Sequence, residues 1–130
     1  EKISDFADDI IKKLALTTAI TAITALETNS WFGQLLKMVL TASGVKYNIA
    51  QNGYVCLGSF FGGLIIQWGM HVSAAAQHAF PIAFNQDCYT VVTADTGDSA
   101  VGFGVKIVSK TEYYIYGKGG TNCHILMVGK

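Results

Sequence analysis

Three histidines, three cysteines and one tyrosine- and glycine-rich segment are the parts of this 130-residue chain that could do chemistry or hold a ligand. His71 and His78, joined by Cys123 or His124, would be the donor set for a metal ion. Their spacing does not suit one, because zinc sites draw their ligands in short local pairs and two histidines with six residues between them match no common pattern. A symmetry axis through three copies of the chain is the other way to gather imidazoles from one position. No metal and no cofactor are expected. A Cys–His nucleophile needs thiol and imidazole on one side, whereas neighbours such as Cys123 and His124 point to opposite faces of a strand. Neither G-x-S-x-G nor G-x-x-x-x-G-K-[ST] occurs. Glycan hydrolysis needs two carboxylates across the bond. The second half of the chain offers Asp87, Asp95, Asp98 and Glu112. Asp95 and Asp98 share one polar turn, where turn-making is the usual role of Asp. No catalytic residue is expected.

Binding fits these residues better. Glu112-Tyr113-Tyr114-Ile115-Tyr116 runs into Gly117-Lys118-Gly119-Gly120-Thr121-Asn122. Tyrosine offers a flat apolar face and a hydroxyl at low entropic cost, and glycine lets a backbone approach a ligand. On a strand Tyr114 and Tyr116 share a face and Tyr113 lies opposite. The candidate contact residues are Tyr114, Tyr116, Lys118, Thr121 and Asn122 from this segment. His71, Ser73, Gln77 and His78 join them from an expected loop, and Asp95 and Asp98 from the polar turn. The plainer alternative is that the tyrosines pack within a sheet.

Composition narrows the class. Apolar residues make up 51% and charged residues 14%, against roughly 25% charged in an average domain. A surplus of apolar surface points to a large core, a membrane segment or a buried subunit interface. The membrane reading fails on length: the densest apolar run, residues 60–70, contains Gln67 and glycines, and a spanning helix needs about 18 to 20 apolar residues in succession. No membrane insertion is expected. Net charge is zero and there is no arginine, the residue that most often grips phosphates and guanine edges. Nucleic-acid binding is not expected. Three cysteines are a poor disulfide framework. Buried free thiols, suited to a reducing cytosol, are the expectation. The chain begins at Glu1 without Met, and is expected to be part of something longer.

Two helices should come first. Ser4 or Asp5 caps the start of residues 1–26. Ile3, Phe6, Ile10 and Leu14 recur at spacings of three and four, and Ile20, Ile23 and Leu26 extend the stripe. This segment is rich in β-branched residues, which are mediocre helix formers, so alone it would be marginal. A parallel bundle of identical copies would bury the stripe, making those seven residues candidates for a trimer interface. Packing on its own domain is the alternative. A second helix is expected over Trp31–Ala42, with an N-cap among Thr28, Asn29 and Ser30 and a stop at Gly44. From Val45 the pattern turns to short strands. A hairpin is expected about Gln51-Asn52-Gly53, then strands over 64–70, 88–94, 101–109, 112–116 and 123–128. Pro81 marks an edge or a strand start. Cys88, Thr90 and Val92 should face one way and Tyr89, Val91 and Thr93 the other. Such spacing suggests an antiparallel sandwich or barrel.

The succession Asn52-Gly53-Tyr54, Gly63-Leu64-Ile65-Ile66-Gln67-Trp68-Gly69, Phe80-Pro81-Ile82-Ala83-Phe84, then Cys88 and Thr90-Val91-Val92 resembles the C-terminal domain of gp53-like phage and prophage tail fibres, over residues 52–128. Two features depart from it. Cys56-Leu57-Gly58 with an inserted Ser59-Phe60-Phe61-Gly62 stands where that family often has K-L-P, and the last strand lacks the W-x-A-I-G-Y ending. Trp68 is expected in the core. The resemblance implies a small β-rich domain trimerised about the fibre axis. With the helices and strands read from the pattern, the expected fold is mainly β with N-terminal helices, a small antiparallel β-sandwich (45–130) on a helical stem (1–44), homotrimeric. It implies a receptor-binding tip of a tail fibre on the virion, an adhesin for a bacterial cell-surface polysaccharide such as lipopolysaccharide or for an outer-membrane protein. It also suggests an assembly chaperone in the host cytoplasm. Two alternatives remain at this point, a glycan depolymerase tip and a purely structural trimerisation cap.

Overall fold

The structure, a computed structural model, describes residues 2–24, 28–97 and 100–130, and of residues 17–24 the backbone only. The chain divides into two compact units, Glu1–Val39 and Leu40–Lys130. The division falls within the second helix, five residues before Gly44, where the pattern of the sequence changes.

In the first unit, α1 spans Lys2–Thr24 with Asp5 in its first turn, where a carboxylate suits the positive end of the helix dipole. Its stripe is uncovered: Ile3, Phe6, Ile10 and Leu14 are exposed, Phe6 at 68%. Ile20 and Ile23 continue it on helical backbone, but their side chains, like Leu26 altogether, lie outside the described residues. α2 spans Trp31–Ala42, the range its pattern predicts. Ser30 is the cap, its Oγ accepting the Gly33 N–H at 3.0 Å. No described helix is long and apolar enough to cross a membrane.

In the second unit, Gly44 takes a left-handed φ of 98° and turns the chain into the first of eight strands. These are β1 (Val45–Asn48), β2 (Gly53–Leu57), β3 (Ile65–His71), β4 (Gln77–Ala79), β5 (Cys88–Asp95), β6 (Gly104–Ile107), β7 (Glu112–Tyr116) and β8 (Cys123–Gly129). They form a five-stranded sheet in the order β1-β2-β3-β8-β5 and a three-stranded sheet in the order β4-β7-β6, with every described pairing antiparallel. The inserted Ser59-Phe60-Phe61 makes one 3-10 turn, tied down by the Ser59 N–H on the Ser43 carbonyl at 2.8 Å.

One buried cluster joins the two sheets. β3 and β8 contribute Ile65, Cys123, Ile125 and Met127, β7 contributes Tyr113 and Ile115, and the connections contribute Ala74, Phe80 and Phe84. Every second residue of β8 is buried, the period-two signature of a strand with one face in the core.

Three expectations are corrected here. Trp68 is not a core residue: alternation along β3 buries Ile65, Gln67 and Gly69 and turns Trp68 to the outer face, where its indole N–H meets the Ala50 carbonyl at 2.8 Å. In β5 a bulge between Cys88 and Thr90 adds one residue. Cys88, paired with Gly129, therefore shares the inward side with Val91 and Thr93, not with Val92. The segment from His71 to His78 is not all loop, since it ends one strand and begins another. β7 and β8 are not neighbours: the chain between them passes from one sheet to the other.

The buried glutamine explains why two separated motifs occur together. Gln67 is fully buried, at 0% exposure. Its Nε2–H donates to the Ile82 carbonyl at 2.7 Å, and its Oε1 accepts the Ile82 N–H at 2.9 Å. The amide so imitates a strand partner for the Phe80–Phe84 segment, which carries no ladder of its own, and seats Phe80 and Phe84 edge to face at 4.9 Å.

Candidate functional site

The register of the large sheet gives the second unit two distinct ends. Val45, Leu57, Ile65, Gly129 and Cys88 lie at one, where the chain comes in from α2. His71, Cys123 and Asp95 lie at the other. From this far end three connections cross to the small sheet: residues 72–76 to β4, 96–103 to β6, and 117–122 back from β7 to β8.

These connections are laced together. The Ser73 N–H donates to Asn122 Oδ1 at 3.1 Å, and the Ala74 N–H to the Thr121 carbonyl at 2.8 Å. The Thr96 N–H reaches the Asn122 carbonyl at 3.4 Å, and Asp95 closes its turn by accepting the Gly97 N–H at 2.9 Å. Ser73 is held at a left-handed φ of 50°, a conformation uncommon outside glycine. Six of the sequence-derived candidates meet at this end: His71, Ser73, Asp95, Lys118, Thr121 and Asn122. Asp98 lies outside the described residues.

The histidines of this set turn inward. His71 and His78 stack at 3.7 Å with an 18° tilt. His71 Nε2 bonds the hydroxyl of the buried Tyr113, and His78 Nε2 bonds the Ala74 carbonyl at 2.8 Å. Burial, and then His78 beside it, push the His71 pKa down to about 4. Burial raises that of Tyr113. At neutral pH a neutral phenol therefore donates to a neutral imidazole. The stack is a structural plug beneath the far-end loops. Among the described residues no group of three His, Cys, Asp or Glu side chains could hold a metal. The three thiols are free, and burial raises the pKa of each, the reverse of what an activated nucleophile needs. Asp95 and Glu112 belong to different sheets.

The remaining candidates face outward from the small sheet. Gln77 pairs with Tyr114, and Tyr114 with Lys106, so an amide, a phenol and an ammonium stand in one row. Gly104 pairs with Tyr116, and the Tyr114 and Tyr116 rings lie 4.6 Å apart. Gln77 Nε2 donates to Glu112 Oε2. Lys106 and Gly104 were not legible as site residues, because only the cross-strand register brings them beside the tyrosines.

The outer face of the large sheet differs. Its outward positions include Tyr47, Val55, Ile66, Trp68, Met70, Leu126, Val128 and Val92, and none of them carries a formal charge. Val92 is 59% and Leu126 43% exposed. An antiparallel sheet normally keeps one polar face for water, and this one has two apolar faces.

Comparison with known proteins follows the same lines. Residues 59–128 match the family model described as "tail fiber protein gp53-like, C-terminal", beginning after the Asn52-Gly53-Tyr54 that opened the resemblance. Among solved structures the chain is similar to an N-truncated R2-type pyocin tail fiber, with a TM-score of 0.54 and 20% identity over 78% of this chain and 43% of that one. It is similar to the C-terminal part of the R2 pyocin fiber of P. aeruginosa, with a TM-score of 0.56 and 20% identity over 78% of this chain and 30% of that one. At this identity the likeness shows the fold. The chain spans less than half the length of either fibre chain. No curated protein matches it.

Proposed function

The chain belongs to the gp53-like tail fiber C-terminal family, and from that membership we propose that it is the distal, receptor-binding tip of a phage tail fibre, a homotrimeric adhesin for a bacterial surface glycan or outer-membrane protein. The observation that carries this reading is the polarity of the second unit. The chain comes in at the Val45 end, and the loops 72–76 and 117–122, with Thr96 and Gly97, gather at the opposite end. Loops held on a rigid sandwich are where recognition concentrates. The trimer is supported by two uncovered apolar surfaces, the α1 stripe and the outer face of the large sheet. Such surfaces resemble a core cut in half.

The test is direct. The purified chain should have three times its monomer mass in solution and should adsorb to cells of a susceptible strain, blocking later attachment of phage. A monomer at micromolar concentration removes the trimer, and absence of adsorption to every strain in a broad panel removes the adhesin.

A further inference from the structure

We propose that the outward face of the β4-β7-β6 sheet is a saccharide platform, on which Tyr114 and Tyr116 stack a pyranose ring while Gln77, Glu112 and Lys106 bond its hydroxyls. This rests on the adhesin reading and commits it to a polysaccharide rather than a protein receptor.

A pyranose presents C–H groups on one face and hydroxyls around its rim, so it needs an open aromatic surface ringed by planar polar groups. Tyr116 is 54% exposed, and its ring lies 4.6 Å from that of Tyr114 at a tilt of 43°, so two neighbouring phenols offer adjoining aromatic faces. Its cross-strand neighbour is Gly104, which has no side chain to lie over the ring. A Cβ built at Gly104 meets nothing nearer than the Tyr116 Cβ at 3.8 Å. The backbone there has room for a larger residue, and glycine keeps the platform bare. The opposite face of the same strand is buried: Tyr113 and Ile115 go to the core, so the outward tyrosines are not needed for packing between the sheets.

Polar groups stand where a sugar rim needs them. Gln77 is oriented by its bond to Glu112. One amide N–H and the amide oxygen of Gln77 remain for a ligand, as does the second oxygen of Glu112. Lys106 stands across Tyr114 from Gln77, so the aromatic surface has donors and acceptors on the Gln77 side and an ammonium donor on the other. One acid and one base leave the platform without net charge, which suits a neutral hexose.

Size decides between glycan and protein. Three strands about 4.8 Å apart and at most five residues long offer on the order of 200 Å². A stable protein interface takes about 800 Å² from each partner. Outward positions of the large sheet such as Trp68, Leu126 and Val92 carry no charge, whereas the small sheet's outer face sets Gln77 and Lys106 on either side of Tyr114.

The full chain should be tested on immobilised lipopolysaccharide and capsular polysaccharide purified from the strains to which it adsorbs. The wild type is expected to bind at least one of them. Tyr116→Ala and Gly104→Val, the second covering the ring without removing it, should each weaken binding tenfold or more. Mass and melting temperature should stay unchanged. Equal binding by both variants overturns the platform while the adhesin stands. So does adsorption to cells that is lost after protease treatment of the cells, with no binding to polysaccharide. A loss of trimer mass in Gly104→Val makes the face a subunit contact and overturns the platform as well. Adsorption to no strain overturns both readings.

Discussion

The side-chain amide of Gln67 makes both of its hydrogen bonds to a single residue, Ile82, taking the carbonyl at 2.7 Å and the N–H at 2.9 Å. Gln67→Leu keeps the volume and leaves both backbone groups without partners in the interior. Each buried orphan costs about 1–3 kcal/mol. The expected loss of stability is about 2–5 kcal/mol, read as a fall in Tm on the order of 10 °C. Gln67→Glu should be worse, because the carboxylate cannot donate to the Ile82 carbonyl. A Gln67→Leu variant that melts with the wild type would remove this bond from the account of why the two motifs occur together.

Stability should fall on mild acidification, and His71 should be part of the reason. Unfolded, its imidazole titrates near 6.5; folded, burial holds it at about 4. Between those values the unfolded chain binds the extra proton. The contribution is therefore complete above about pH 6.5 and is lost as the pH falls toward 4. Thermal melts of the wild type and His71→Gln at pH 7.5, 5.5 and 4.0 isolate it, and the variant should show the shallower slope.

Assembly should depend on the uncharged outer face of the large sheet. Leu126 lies between Trp68 and Val92 in one cross-strand row. Leu126→Lys places an ammonium there, and an unpaired charge in a dry contact costs several kcal/mol. Light scattering should report monomers at micromolar concentration, with the strand content of the circular dichroism spectrum unchanged. A variant that retains the wild-type mass would free this face for another occupant.

The far-end loops should separate stability from recognition. Asn122→Ala removes the acceptor of the Ser73 N–H from a half-buried position, at about 1 kcal/mol. Tm should move by a few degrees. Adsorption to cells should fall about tenfold, because the loops at 72–76 and 117–122 lose one of the bonds that fix their spacing.

The sequence carried the regular elements where local chemistry agreed with them. α2 ends where Ser30 and Gly44 say it should, and β7 occupies the five residues whose alternation marks it. Hidden features were those that depend on partners far along the chain. Nothing local says that Gln67 rather than Trp68 is buried, since the polar residue is satisfied only by Ile82, fifteen residues away. The bulge at Cys88 reverses the phase of one strand and is set by pairing with β8. β4 is only three residues long, and the alanines before it give no strand pattern. The candidate residues were named as one group. The structure sorts them into far-end loops, an internal histidine stack and an outward tyrosine face, because sequence proximity does not say which side of a sheet a side chain takes.

Both ends of the β unit lie on one side, with Val45 leading in and the Lys130 N–H bonded to the Asp87 carbonyl at 3.0 Å. The crossing loops therefore lie opposite Val45 and Lys130 and away from the motif that seats Phe80 and Phe84. Doubling the length of such a loop costs only about 0.6 kcal/mol in closure entropy. Insertions and deletions there are thermodynamically almost silent, so the far end can diversify quickly between lineages while the sandwich beneath it stays constant.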